Sequence, residues 1–250
     1  MNNTFLQKGV AQHCLAPLAL VALIVCLLLS ANAKAGIVEK TGTFGGLKVT
    51  YRVDLPNGYD PVRAYPTILA FTGGGQTMDI VEQTMTDWQS EAEKRGYIVV
   101  SPAAPDGQLF FEGGERIFPA FLDMILHDYK VKGGKLFLAG HSNGGISAFH
   151  VAVRYPQYFV SVTGYPGLLY NEEDLSKMQN LKGLCIFLHV GERDKDWQKE
   201  MRQQSEMFRK AGFKVQFDVE ANMVHRLNVH TADLQNRLFA QLEQTASGCK

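Results

Sequence analysis

The stretch Lys135-Leu-Phe-Leu-Ala-Gly-His-Ser-Asn-Gly-Gly-Ile-Ser-Ala-Phe149 constrains the fold of this chain more than any other. An apolar, strand-like run at 136–139 enters Gly140-His141-Ser142-Asn143-Gly144, and an apolar, helix-like run follows. Gly-x-Ser-x-Gly between a strand and a helix is a reversal too tight for Cβ atoms at its glycine positions. It places the Ser142 hydroxyl at the C-terminal edge of a sheet, over a helix N-terminus. Such a turn belongs to a chain that alternates strands and helices.

The rest of the chain alternates in that way. Strand-like runs fall at 47–55, 65–71, 97–101, 136–139, 159–164, 184–190 and 215–219. Helix-like stretches lie at 80–94, 117–129, 145–155, 197–211 and 232–244. In the fourth of these Trp197, Met201, Phe208 and Ala211 share one face, and the other faces are polar. The run Cys185-Ile-Phe-Leu188 is apolar throughout, as expected of a strand buried on both faces of a parallel sheet. The fold class is therefore α/β: a mostly parallel sheet with helices on both faces. Residues 166–182 are too few for a large helical cap between two strands. The cleft is expected to be open, which suits a bulky or polymeric substrate.

Residues 1–35 read as a signal peptide. Lys8 precedes the apolar run from Leu15 to Leu29, and Ala33-Lys34-Ala35 offers small residues for cleavage. Export to the periplasm or beyond is expected, with residues 36–250 as one catalytic domain. An uncleaved membrane anchor is the alternative. After cleavage no stable membrane association is expected. Acidic and basic residues balance at 25 each, so no basic field points to nucleic acid. Cys14 and Cys26 leave with the leader, and a bridge between Cys185 and Cys249 stays open. No Cys-x-x-Cys or His-Glu-x-x-His spacing suggests a metal, and the chemistry below needs no cofactor. Oligomeric state is not legible.

A serine becomes a useful nucleophile only when a base takes its proton and an acid orients the base. In this fold the acid and then the base follow the serine in the chain. Asp194 follows the strand ending at Gly191, with Asp196 as the alternate. His225, in Asn222-Met-Val-His-Arg226, follows the last strand and is the expected base, with His230 as the alternate. His141 is expected to pack rather than react, His189 to be a satisfied core histidine, and His127 and His150 to lie on helices without partners. An oxyanion needs two aimed donors. The Asn143 N–H at the helix start is one. Phe71-Thr-Gly-Gly-Gly-Gln76 supplies the other, at Gly74 or else Gly75. Tyr165 and Trp197 are candidate substrate-wall residues.

The chain resembles the α/β-hydrolase superfamily. Within it, it is similar to exported esterases related to polyhydroxyalkanoate depolymerases and to feruloyl and acetylxylan esterases. The residues that carry this are Tyr51-Arg-Val-Asp-Leu-Pro-Asn-Gly-Tyr59, Tyr65-Pro66, the Thr72–Gln76 loop, Gly140–Gly145, Gly191-Glu-Arg-Asp194 and His225. Two departures stand out: Thr72-Gly73 where those relatives carry His-Gly, and Lys195-Asp196-Trp197 after the acid. The resemblance implies a serine hydrolase acting on a polyester, feruloyl or acetyl ester. The same triad also serves acyltransferases and peptidases, and a non-catalytic binding protein could keep the fold.

Overall fold

The computed structural model describes residues 36–227, 231–245 and 248–249. The expected signal peptide and the alternate base His230 lie outside the described residues. Eight strands form one sheet: β1 (Gly36–Phe44), β2 (Leu47–Leu55), β3 (Thr67–Phe71), β4 (Ile98–Pro102), β5 (Leu136–Gly140), β6 (Phe159–Gly164), β7 (Cys185–Gly191) and β8 (Val215–Glu220). Their spatial order is β1-β2-β4-β3-β5-β6-β7-β8. β2 pairs antiparallel with both β1 and β4, and every other pairing is parallel. The helices are α1 (Met78–Arg95), α2 (Phe118–Asp128), α3 (Asn143–Arg154), α4 (Glu172–Ser176), α5 (Lys195–Lys210) and α6 (Ala232–Gln244).

The continuous apolar runs have the cause expected of them. β3, β4 and β7 are buried at every position because helices cover both faces. Alternate β3 residues divide between two cores. Leu69 and Phe71 pack with α2, α3 and α5, while Ile68 and Ala70 pack with α1 and α6 through Val81, Met85, Trp88 and Phe239.

Two elements escaped the sequence reading. β1 contains Gly36, Gly42 and exposed charges, so it lacks a clear alternation; it forms because β2 offers it a nine-residue antiparallel register from Gly36↔Leu55 to Phe44↔Leu47. Helix α4 lies in the β6–β7 connection and is capped by Asn171, whose side chain accepts from the Asp174 N–H at 2.8 Å. That short helix, with a 3-10 turn at Met178–Leu181, leaves the connection without a large cap.

Helix α4 also corrects the expectation that His150 lacks a partner. Its Nδ1 meets Asp174 Oδ2 at 2.8 Å, a contact made across 24 residues that no local pattern could reveal. His127 likewise has a partner, its neighbour Asp128 at 2.9 Å. His189 is satisfied as expected, between Glu220 Oε1 and Gln241 Oε1, each at 2.8 Å. Burial alone would raise the Glu220 carboxyl, but the hydrogen bonds from His189 and Arg237 outweigh it and hold the group at about 2. The open question of the cysteines is also resolved. Cys185 at the start of β7 is bridged to Cys249, Cα to Cα 5.6 Å, which ties the C-terminal end to the sheet.

One buried acid works against the fold. Asp54 on β2 is 1% exposed, and its Oδ1 has no hydrogen-bond partner among the described residues. Burial, then the charge of Glu93, raises its carboxyl from 3.8 to about 6. The native state therefore holds this proton more tightly than the unfolded chain does. The associated stability is fully present below the ordinary carboxylate value and lost as pH rises through about 6. Asp54→Asn should raise unfolding free energy by about 1–2 kcal/mol at neutral pH and by almost nothing near the unfolded carboxylate value. Denaturant melts at the two pH values check this; equal shifts at both would refute it.

Candidate active site

The reversal between β5 and α3 holds Ser142 at φ 55°, ψ −121°, a conformation that costs a non-glycine residue about 1–3 kcal/mol. Its surroundings impose it. Ser142 N–H donates to Pro166 O at 2.9 Å, and His141 N–H donates to Phe71 O at 3.2 Å. A Cβ on Gly140 would collide with the Gly144 carbonyl, and one on Gly144 with the carbonyls of Phe71 and Thr72. The two motif glycines thus let the strand, the helix and the glycine loop approach at backbone distance.

Asp194 immediately precedes α5, at the C-terminal end of β7, and His225 lies in the connection after β8. Hydrogen bonds join these two segments along their length. Glu192 N–H donates to Glu220 O at 2.9 Å, Arg193 N–H to Met223 O at 2.8 Å, and Asn222 N–H to Glu192 Oε2 at 2.8 Å. Gly191 lies so close beneath Met223 and Val224 that a Cβ would strike their carbonyls. This fixed pairing brings His225 Nδ1 to 2.6 Å from Asp194 Oδ2 and His225 Nε2 to 2.8 Å from Ser142 Oγ. The three expected residues are in hydrogen-bonded sequence. Asp196 is exposed in the first turn of α5 and forms no hydrogen bond with His225 among the described residues.

The other expected residues fall around this line. His141 is largely buried, and burial pushes its imidazole down to about 4. It is neutral near pH 7, and its Nε2–H donates to the His225 carbonyl at 3.3 Å. It packs against Tyr165 and hydrogen-bonds, as expected. Trp197 lies against the His225 ring, centroids 5.4 Å apart. Tyr165 is 3% exposed, and its hydroxyl accepts from Trp88 Nε1 at 3.1 Å. It forms the floor of a cavity of about 310 Å³ that Gly73, Gly74, Thr84, His141 and Leu227 also line.

Asn143 is the first residue of α3, so its backbone N–H belongs to the group without an intrahelical acceptor. Its side chain donates to Gly74 O at 2.9 Å, which ties the glycine loop to the helix start. Gly74 adopts φ 55°, as a glycine readily does, and Gly75 beside it is exposed.

Sequence reasoning missed Gln76, a buried residue at φ 53°. Its Nε2 donates to Ser147 Oγ at 2.9 Å and to Thr72 O at 3.3 Å, and its Oε1 accepts from the Phe110 N–H at 3.0 Å. One side chain therefore joins the glycine loop, α3 and the segment after β4. A glutamine closing a glycine loop was visible, but its three partners were not. Gln76→Ala would orphan several buried polar groups, at about 1–3 kcal/mol each. It should lower Tm and reduce kcat by about tenfold to a hundredfold through loss of loop position. An unchanged kcat in a folded variant would remove Gln76 from the positioning set.

The sheet order and flanking helices give the α/β-hydrolase fold, and its connecting segments join a serine, a histidine and an aspartate by hydrogen bonds. Residues 119–242 match the Esterase family model, described as "Putative esterase". Among solved structures, the chain is similar to a thermostable esterase, at TM-score 0.66 and 18% identity over 82% of this chain and 62% of that one. It thus spans less than two thirds of that esterase. It is also similar to a hyperthermophilic esterase from the archaeon Pyrobaculum calidifontis, at TM-score 0.66 and 14% identity over 91% and 90% of the two chains. An S-formylglutathione hydrolase from Agrobacterium tumefaciens aligns at TM-score 0.62 and 15% identity over 89% and 99%. These likenesses are of fold. No curated protein matches the sequence.

Proposed function

We propose that this protein hydrolyses carboxylic esters outside the cytoplasm through an acyl-enzyme formed on Ser142. The observation that carries the reading is the line Ser142 Oγ–His225 Nε2 at 2.8 Å and His225 Nδ1–Asp194 Oδ2 at 2.6 Å. Ser142 Oγ attacks the ester carbonyl while His225 Nε2 takes its proton. Asp194 keeps the imidazole proton on Nδ1 and stabilises the imidazolium. The backbone N–H groups of Asn143 and Gly74 hold the oxyanion. His225 then protonates the departing alcohol and later takes a proton from the water that releases the acid.

The open cleft favours a bulky or polymeric ester, such as a polyester, feruloyl or acetyl ester. The 310 Å³ cavity beside the glycine loop and the Trp197 wall offer room on two sides. Export is supported by the leader-like residues 1–35 and by the Cys185–Cys249 bridge, since disulfides persist in oxidising compartments. A fluorophosphonate probe tests the nucleophile: wild type labels and Ser142→Ala does not. Failure of wild type to label, or equal labelling of the variant, refutes the reading. A panel of acetylated sugars, feruloyl esters and aliphatic polyesters then ranks the substrates by kcat/KM.

A further inference from the structure

The edge of the sheet opposite the active site carries a segregated charge that hydrolysis does not use. Ser142, Asp194 and His225 all follow the C-terminal ends of parallel strands. Four lysines instead precede the N-terminal ends. Lys132 and Lys135 come just before β5, Lys182 before β7 and Lys214 before β8. With strands of five to seven residues, the two edges are about 15–20 Å apart.

These lysines are close in space. Lys132 and Lys135 line one depression of about 500 Å³, and Lys135, Lys182 and Lys214 line a second of about 390 Å³. The two depressions share Lys135, Val160 and Thr245, so they adjoin. All four lysines are exposed. Lys214 Nζ donates to Gly248 O at 3.1 Å; Lys132, Lys135 and Lys182 have no ion-pair partner among the described residues. Glu243, the one acidic residue among the lining side chains described, is already bonded to Arg95 at 2.7 Å. Between the cations the lining is apolar, with Tyr97, Phe137, Val160 and Leu242 in the larger depression. The whole chain has no net charge, so this is local segregation.

The chain also enters the domain at this edge. β1 begins at Gly36, opposite Leu55, and Asp54 pairs with Val99 near the start of β4. Gly36 therefore lies at the N-terminal edge of the parallel strands.

We infer that this lysine-bearing edge docks reversibly on an anionic lipid bilayer, with the active site facing away from it. Several exposed cations spread over an open, partly apolar face match a plane of phosphate headgroups better than they match one enclosed small anion. Such docking is electrostatic, so it differs from anchoring by a spanning helix and weakens with salt.

The test is co-sedimentation of the exported form, residues 36–250, with phosphatidylcholine vesicles and with equimolar phosphatidylcholine–phosphatidylglycerol vesicles, at low and high salt. Partition should favour the anionic vesicles and fall at high salt. Each lysine near such a surface is worth roughly fivefold, so Lys132→Gln, Lys135→Gln and Lys182→Gln together should lower partition about a hundredfold. Lys199→Gln, on the upper part of α5, should leave it unchanged. All variants should keep wild-type hydrolysis of a soluble ester, which shows that they are folded. Equal pelleting with both vesicle types overturns the inference, as does wild-type partition of the triple variant. So does a triple variant altered only in self-association, or only in binding a soluble acidic polysaccharide.

Discussion

Replacing Ser142 with alanine should lower kcat for a p-nitrophenyl ester by about 10⁵–10⁶-fold while leaving Tm almost unchanged. The variant removes one oxygen and keeps the backbone that holds it, because Gly140 and Gly144 and the Ser142 N–H bond to Pro166 O set the turn. What remains is the cleft and the proposed oxyanion donors, which alone would give only modest acceleration over water. His225→Ala should cost a similar factor, since Nε2, 2.8 Å from Oγ, is the proposed proton acceptor. The double variant should cost little more than either alone, because the two groups act as one unit. Additive losses, or substantial turnover in Ser142→Ala, would show that another group carries the reaction.

The second large effect separates two aspartates two residues apart. Asp194→Asn should reduce kcat by about 10⁴-fold. An amide at that position offers its nitrogen to His225 Nδ1 and favours the tautomer with the proton on Nε2, which then cannot accept from Ser142. The 2.6 Å contact between Asp194 Oδ2 and His225 Nδ1 makes this coupling direct. Asp196→Asn should stay within about twofold of wild type, as expected of a surface change remote from the chemistry. Steady-state kinetics on the two folded proteins decide it. A larger loss at Asp196 would transfer the acid role there.

The choice between these aspartates marks where sequence reasoning ran out. Both follow a buried strand, and chain order allows either. They differ because Asp194 lies in the tight turn closed by its own N–H to Gly191 O, at 3.0 Å, whereas Asp196 is already on the helix and faces solvent. Gln76 was hidden for the same kind of reason. Its partners Thr72, Phe110 and Ser147 come from three separate segments, and only folding brings them to one side chain. The pairing of His150 with Asp174 and the bridge from Cys185 to Cys249 are likewise long-range.

Local chemistry made the rest legible. Apolar runs with periods near two and 3.6 marked most strands and helices, because burial of one or both faces is set residue by residue along an element. Glycines at 140 and 144 announced the turn, because no other residue allows its close approaches. By itself, then, the sequence determined the fold class, the serine turn, and the order of acid and base behind it. The tertiary structure decided which aspartate meets His225, which side chains hold the glycine loop, and which edge of the sheet gathers the lysines. Those are matters of distance between segments far apart in the chain, and hydrogen bonds and charges act over distance in space.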